Sequence, residues 1–128
     1  MIYRLLLDYP PSVNHIYRRR GRRVFCGPHV AAWRHHVAVA VLKQISTPPP
    51  RLTCDLQLRL SLSPPISKKD YDIDNPLKAT LDALTKANVW RDDSQVKLLV
   101  VSMNERRKAA CMWVEIETML SGANGVSG

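Results

Sequence analysis

Asp70, Asp72 and Asp74 stand at alternate positions, and Asp92 and Asp93 form a second acidic pair further along the chain. In an extended segment the three alternate aspartates leave one face, with Tyr71 and Ile73 on the other. Neighbours in such a row are roughly 6.5–7 Å apart along the backbone, so their carboxylates can converge on a hard cation. Mg²⁺ prefers oxygen ligands, keeps several waters and takes one or two carboxylates plus substrate phosphate. Asp93 is the candidate for a further acid from a second element. The competing reading is a solvated loop before a helix, where the helix dipole stabilises acids. Three acids at strand spacing, with a second pair beyond them, favour the metal.

Lys78 is close to these acids in sequence. It could pair with Asp82 at i,i+4, worth about 0.2–0.5 kcal/mol. It could instead stabilise a phosphate or protonate a leaving oxygen. Spacing alone leaves both roles open.

The charge distribution frames this cluster. The chain has 128 residues and a net charge of +8. Residues 1–51 hold nine Lys/Arg and one acid, whereas residues 52–128 hold ten of each. The whole excess therefore lies in the first part. It peaks at Arg18, Arg19, Arg20, Arg22 and Arg23, flanked by Tyr17 and Phe25. Such a cluster suits a phosphate backbone, because each cation releases a condensed counterion and Arg adds bidentate hydrogen bonds and stacking. A solvated hairpin tip is the alternative. Residues 70–93 have a net charge of −3, which should repel DNA unless a divalent metal neutralises it.

Several elements must position these groups. Ile2–Leu7 reads as a strand closed by Asp8-Tyr9-Pro10-Pro11. A helix is predicted from Gly27 or Pro28, with Val30, Trp33, Val37, Ala40 and Val41 as its buried stripe. It ends before Pro48-Pro49-Pro50. Leu52 to Leu62 alternates apolar and polar residues as a half-buried strand. Asn75-Pro76 predicts a helix start, with Asn75 as N-cap and Pro76 at the first helical position, and Leu77, Leu81 and Leu84 facing inward. Val96–Met103 and Cys111–Thr118 read as the last two strands. The order β-α-β-α-β-β predicts a single small two-layer α+β domain over residues 1–120, with a mixed or antiparallel sheet. Residues 121–128 read as a disordered small-residue tail.

Other classes are excluded or weakened. At 45% apolar residues the chain can bury a core and does not read as disordered. Its apolar runs are far short of a membrane span, and Met1–Pro11 does not read as a signal peptide. The three cysteines, Cys26, Cys54 and Cys111, lack CxxC spacing and point to a reducing, cytoplasmic setting. Cys54 and Cys111 read as core positions. Cys26, His29, His35 and His36 do not make a zinc site: the last two point about 100° apart on a helix, and no second cysteine has finger spacing. His35 or His36 is expected to line the basic surface.

Asp72-Ile73-Asp74-Asn75-Pro76-Leu77-Lys78 fits an Asp-x-Asp-Asn-x-x-Lys motif and continues through Trp90-Arg91-Asp92-Asp93-Ser94-Gln95-Val96. This run, together with Pro10-Pro11-Ser12-Val13-Asn14, resembles the RusA-type Holliday junction resolvases, small nucleases often carried by prophages. The resemblance covers roughly residues 1–118. It implies a Mg²⁺-dependent homodimeric endonuclease that cuts four-way DNA junctions symmetrically, with Mn²⁺ as an alternative ion. It assigns metal-binding catalytic acids to Asp72, Asp74 and Asp93, and an essential lysine to Lys78. It gives Asp70 no catalytic role, and Asp70, Asn75 and Asp92 remain accessory candidates. Pro76 departs from the motif's more usual non-proline residue, and Lys68-Lys69 makes a less basic lead-in than an all-Arg version. Lys68 and Lys69 join the five arginines as DNA-binding candidates.

The chemistry this implies is phosphodiester hydrolysis by two metals about 3.5–4 Å apart, with neither a small-molecule cofactor nor a membrane involved. A chain this short cannot surround a four-way junction alone, so a C₂ dimer is expected. The competing functions are a less selective Mg²⁺ nuclease, a non-catalytic basic DNA-binding protein and a phage protein-interaction module.

Overall fold

The structure, a computed structural model, describes residues 1–10, 17–20, 23–26, 28–66 and 76–119. The elements run β1 (Ile2–Asp8), β2 (Tyr17–Arg20), β3 (Arg23–Cys26), α1 (Pro28–Gln44), β4 (Leu56–Ser63), α2 (Leu77–Lys86), a 3-10 turn (Asp93–Gln95), β5 (Val96–Met103) and β6 (Cys111–Thr118). The fold is the predicted α+β class with a mixed sheet, and β2 and β3 add a two-stranded antiparallel ribbon. The expected tail at 121–128 lies outside the described residues.

The main sheet has the order β1-β6-β4-β5. β6 is antiparallel to both β1 and β4, whereas β4 and β5 are parallel. A parallel pair requires a crossover, and the chain from β4 through α2 to β5 provides it. The sites of interest lie on this crossover.

Alternation sorts the sheet into two faces. Leu5, Val114 and Leu60 are register partners across β1, β6 and β4, as are Leu7, Met112 and Leu62. All six are at most 1% exposed and join Val30, Trp33, Val37, Val41, Ala79, Ala83, Leu84 and Trp90 in one core. Each large apolar side chain so buried is worth about 1.5–3 kcal/mol. The whole predicted stripe of α1 is buried.

Two sequence expectations need correction. The fourth strand begins at Leu56, not Leu52. Leu52 instead makes an isolated bridge to Trp90, and Cys54 precedes the strand, partly buried against the core. Cys111 is not a core residue: its register partners are Asp8 and Ser63, on the rows that face away from the helices.

α1 also closes the outer edge of β1. The Gln44 side chain accepts from Leu6 N–H at 2.8 Å and donates to Leu6 C=O at 2.9 Å. His36 Nε2 accepts from Asp8 N–H at 3.0 Å, and Trp33 Nε1 donates to Asp8 C=O at 3.1 Å. These bonds occupy groups that an edge strand otherwise leaves open to pairing. His36 thus serves the sheet edge, whereas His35 and His29 are exposed. Among the described residues no helix is long and apolar enough to cross a membrane.

Candidate active site

α2 presents Lys78 and Asp82 one turn apart on one side and buries Ala79, Thr80, Ala83 and Leu84 on the other. The small alanines let the helix lie close to its neighbours. Its first residue is Leu77, with Pro76 at the N-cap, so the proline stands one place earlier than expected. Thr80 satisfies the first turn: its N–H and hydroxyl donate to Pro76 C=O at 3.1 and 2.8 Å.

The helix ends in a Schellman turn. Asn88 adopts φ 62°, a left-handed conformation that asparagine tolerates better than most residues. Asn88 N–H donates to Thr85 C=O at 3.0 Å, and Val89 N–H to Leu84 C=O at 3.2 Å. The turn delivers Trp90 into the core, fully buried, with its Nε1 donating to Thr85 Oγ1 at 2.7 Å. Trp90 fixes where the chain re-emerges, and Arg91, Asp92 and Asp93 follow at the surface.

The acidic pair is held by a capping box. Asp92 is the N-cap of the 3-10 turn, and its carboxylate accepts from Ser94 N–H at 3.4 Å and Ser94 Oγ at 2.9 Å. The Gln95 side-chain oxygen accepts from the N–H groups of Arg91 and Asp92, both at 2.9 Å. Its amide nitrogen donates to Leu52 C=O at 2.9 Å and Cys54 C=O at 2.8 Å. One side chain therefore ties the acidic turn to the segment leading into β4.

The two aspartates have different environments. The Ser94 hydroxyl and N–H stabilise ionised Asp92 and hold its carboxyl below the usual range. Asp93 is pushed above it, first by lost hydration, then by the hydrogen bond and charge of Asp92 and by the charge of Asp82. Lys78 acts on Asp93 in the opposite direction. Because Asp93 remains exposed, its loss of hydration is only partial. Asp92 is committed to the cap, and Asp93 is left in the combined field of Asp82 and Lys78.

This geometry brings Asp93 and Lys78 into electrostatic contact, although they are separated by most of α2 and the loop after it. It adds Asp82, which sequence reasoning assigned only a pairing role with Lys78. It also adds Gln95, a positioning residue that sequence reasoning missed; the signal was the Asp-x-x-Gln spacing of Asp92 and Gln95. Asp70, Asp72, Asp74, Asn75, Lys68, Lys69 and Arg22 lie outside the described residues. Arg18, Arg19 and Arg20 are on β2 and Arg23 on β3.

Hard oxygen donors crowded so that one is reluctant to ionise are a fitting environment for a divalent cation. Among the described residues, no three His, Cys, Asp or Glu side chains form a ligand group. Asp93 stands at the foot of β5, in the field of Asp92 and Asp82.

Residues 8–117 match the model of the family described as Endodeoxyribonuclease RusA. A relative from Enterobacteria phage 82, named crossover junction endodeoxyribonuclease rusA, is 36% identical over 94 residues, covering 73% of this chain and 76% of that protein. Relatives of the same name from Escherichia coli K12 and Shigella sonnei are 35% and 34% identical over the same shares.

Proposed function

The chain belongs to the RusA endodeoxyribonuclease family, and from that premise we propose that it resolves four-way DNA junctions as a Mg²⁺-dependent homodimeric endonuclease. The observation that carries this reading is the placement of Asp93 in the joint field of Asp82, Asp92 and Lys78. A carboxylate crowded by like charge and flanked by one lysine suits a centre that takes up a divalent cation and a phosphate together.

Asp93 would supply one ligand, and Asp72 and Asp74 the others, from the segment that enters α2. That donor set suits two ions, with Mn²⁺ able to replace Mg²⁺. When bound, the metal supplies Lewis acidity and neutralises charge at the scissile phosphate. Lys78 is exposed in the first turn of α2, where its ammonium would orient the phosphate and offset charge on the leaving oxygen. Gln95 and Asp92 would hold the turn so that Asp93 keeps its aim.

The ribbon β2–β3 would grip DNA. It carries Arg18, Arg19, Arg20 and Arg23 on paired strands, and a two-stranded ribbon has dimensions that a DNA groove admits. Arg22, Lys68 and Lys69 would extend the basic surface. The free thiols Cys54 and Cys111 suit a reducing cytoplasm, and the phage-borne relative fits a prophage origin.

The test uses labelled four-way, three-way and linear DNA of equal length, each with Mg²⁺, Ca²⁺ or EDTA. Paired incision of the four-way substrate in Mg²⁺, lost in EDTA, is the expected result. Equal cutting of all three substrates would overturn junction selectivity. No cutting of any substrate in Mg²⁺ or Mn²⁺ would overturn the enzymatic reading.

A further inference from the structure

Among the described residues, Arg51 and Asn88 are the non-glycine positions with positive φ, at 43° and 62°. They meet: Arg51 N–H donates to Asn88 C=O at 3.0 Å. Asn88 owes its conformation to the helix end it closes. Arg51 closes no helix, and the left-handed conformation costs an arginine more than it costs glycine or asparagine. Residues held in this way by the structure around them gather at functional sites.

The structure around Arg51 does hold it. Leu52 N–H donates to Val89 C=O at 2.7 Å. Leu52 C=O accepts from Arg91 N–H at 3.3 Å and from the Gln95 side-chain amide at 2.9 Å. The Gln95 side-chain oxygen accepts from the same Arg91 N–H at 2.9 Å. Between the two arginines lie the half-buried Leu52 and the fully buried Trp90, bridged to each other. Arg51 and Arg91 are thus anchored on either side of one short parallel pairing. Each residue spans at most about 3.6 Å of chain, so the backbones of Arg91 and Asp93 lie within about 7 Å.

Both arginines are exposed, and among the described residues neither guanidinium makes an ion pair or a hydrogen bond. Arg4 and Arg59, by contrast, both reach Glu115. Arg91 adjoins Asp92 in the chain without pairing with it, and the Asp92 carboxylate accepts from Ser94 instead. Two unpaired cations therefore stand at the rim of the turn that carries two aspartates. Guanidinium groups on a fixed backbone suit phosphate, which they grip through paired, charge-assisted hydrogen bonds.

We infer that Arg91 and Arg51 bind phosphates of the cleaved DNA strand within two nucleotides of the scissile bond. The inference rests on the nuclease reading of Asp93 and adds contacts distinct from those of the β2–β3 ribbon. The pair draws the strand toward an acidic centre that would otherwise repel it, and holds that strand beside the Asp93 carboxylate.

The test measures four-way junction binding in Ca²⁺ across a salt series, after the cut has been mapped with the parent in Mg²⁺. The proteins are the full-length parent, Arg91→Gln, Arg51→Asn and, as a control, Lys108→Ala, whose side chain is exposed on the loop beyond the other end of β5. Each junction carries either native phosphates or one uncharged methylphosphonate at one of the two positions on each side of the cut. The parent and Lys108→Ala should lose affinity at least threefold at two or more of these positions. Arg91→Gln and Arg51→Asn should each bind the native junction at least threefold more weakly, with a salt slope lower by about one. Each should also become indifferent to the methylphosphonate at one position, and the two positions should differ. Arg51→Asn should melt no lower than the parent, because asparagine accepts the left-handed backbone, so a lost fold does not account for its weaker binding. A variant that keeps the parent's slope and its sensitivity at every position overturns the assignment of that arginine, and the nuclease reading stands. The same loss of sensitivity in Lys108→Ala would show a general effect of charge and overturn both assignments. If the parent cuts no junction in Mg²⁺ or Mn²⁺, the nuclease reading fails and the inference falls with it.

Discussion

Asp92 and Gln95 cap each other: the Gln95 side-chain oxygen accepts from Asp92 N–H at 2.9 Å, while Asp92 closes the start of the 3-10 turn. The same Gln95 reaches two carbonyls before β4. The turn that carries Asp93 is therefore fastened by the Gln95 side chain.

Gln95→Ala should cost about 1–3 kcal/mol of stability, because it leaves backbone donors and two carbonyls without partners. It should also lower cleavage at saturating Mg²⁺ by more than tenfold while leaving junction affinity within about twofold. Urea denaturation checks the first expectation, and single-turnover cleavage with a filter-binding titration checks the second. An unchanged cleavage rate in a destabilised protein would show that the turn needs no fastening.

The acidic pair should respond to pH in opposite directions. Asp93 has a carboxyl raised above its unfolded value, so its ionisation opposes folding at neutral pH, and the opposition fades as pH falls through the folded value. Asp92 is lowered, so it contributes stability above its unfolded value and loses it as pH falls through the folded one. At pH 7 and without divalent metal, Asp93→Asn should therefore raise the melting temperature and Asp92→Ala should lower it. Adding Mg²⁺ should stabilise the parent more than Asp93→Asn. Melting curves with and without Mg²⁺ decide this, and equal Mg²⁺ shifts in both proteins would count against Asp93 as a ligand.

Asp82 offers a sharper pH test. Its charge raises Asp93, so Asp82→Asn should move the acid limb of the cleavage profile to lower pH. Lys78 acts oppositely, so Lys78→Ala should move that limb to higher pH as well as reducing the maximum rate. Single-turnover rates across a pH series would show both displacements. Coincident acid limbs in all three proteins would separate Asp93 from its neighbours.

Replacing Arg18, Arg19 and Arg20 together with Ala should weaken junction binding and flatten its salt dependence. Each lost phosphate contact lowers the slope by about one. Binding titrations from low to moderate salt measure it. An unchanged slope would place the phosphate contacts elsewhere.

Much of the fold was legible because its periodicities are clean. The stripe Val30, Trp33, Val37 and Val41 and the alternation Leu56 to Leu62 left little choice of element or buried face. The start of β4 was misjudged because Leu52 and Cys54 continue the alternation, yet the backbone there serves Trp90, Arg91 and Gln95 instead of a strand. Cys111 looked like core because period two does not say which face of a strand is buried when the flanking residues are mixed. At the candidate site, spacing put Asp93 forward, whereas for Lys78 it left two roles open and only the family resemblance chose between them. Spacing did not show that Asp82 acts on Asp93, since that depends on how the Schellman turn at Asn88 folds the chain back along α2.

The central claim is that the carboxylates bind metal for cleavage and are not needed to hold DNA. Its most direct measurement is single-turnover cleavage of a four-way junction by Asp93→Asn and Asp74→Asn in Mg²⁺, with junction affinity measured alongside in Ca²⁺. The account predicts that both lose cleavage by at least a hundredfold and bind the junction at least as tightly as the parent, because removing a negative charge lessens repulsion of phosphate. Cleavage at the parent's rate by either protein would contradict it.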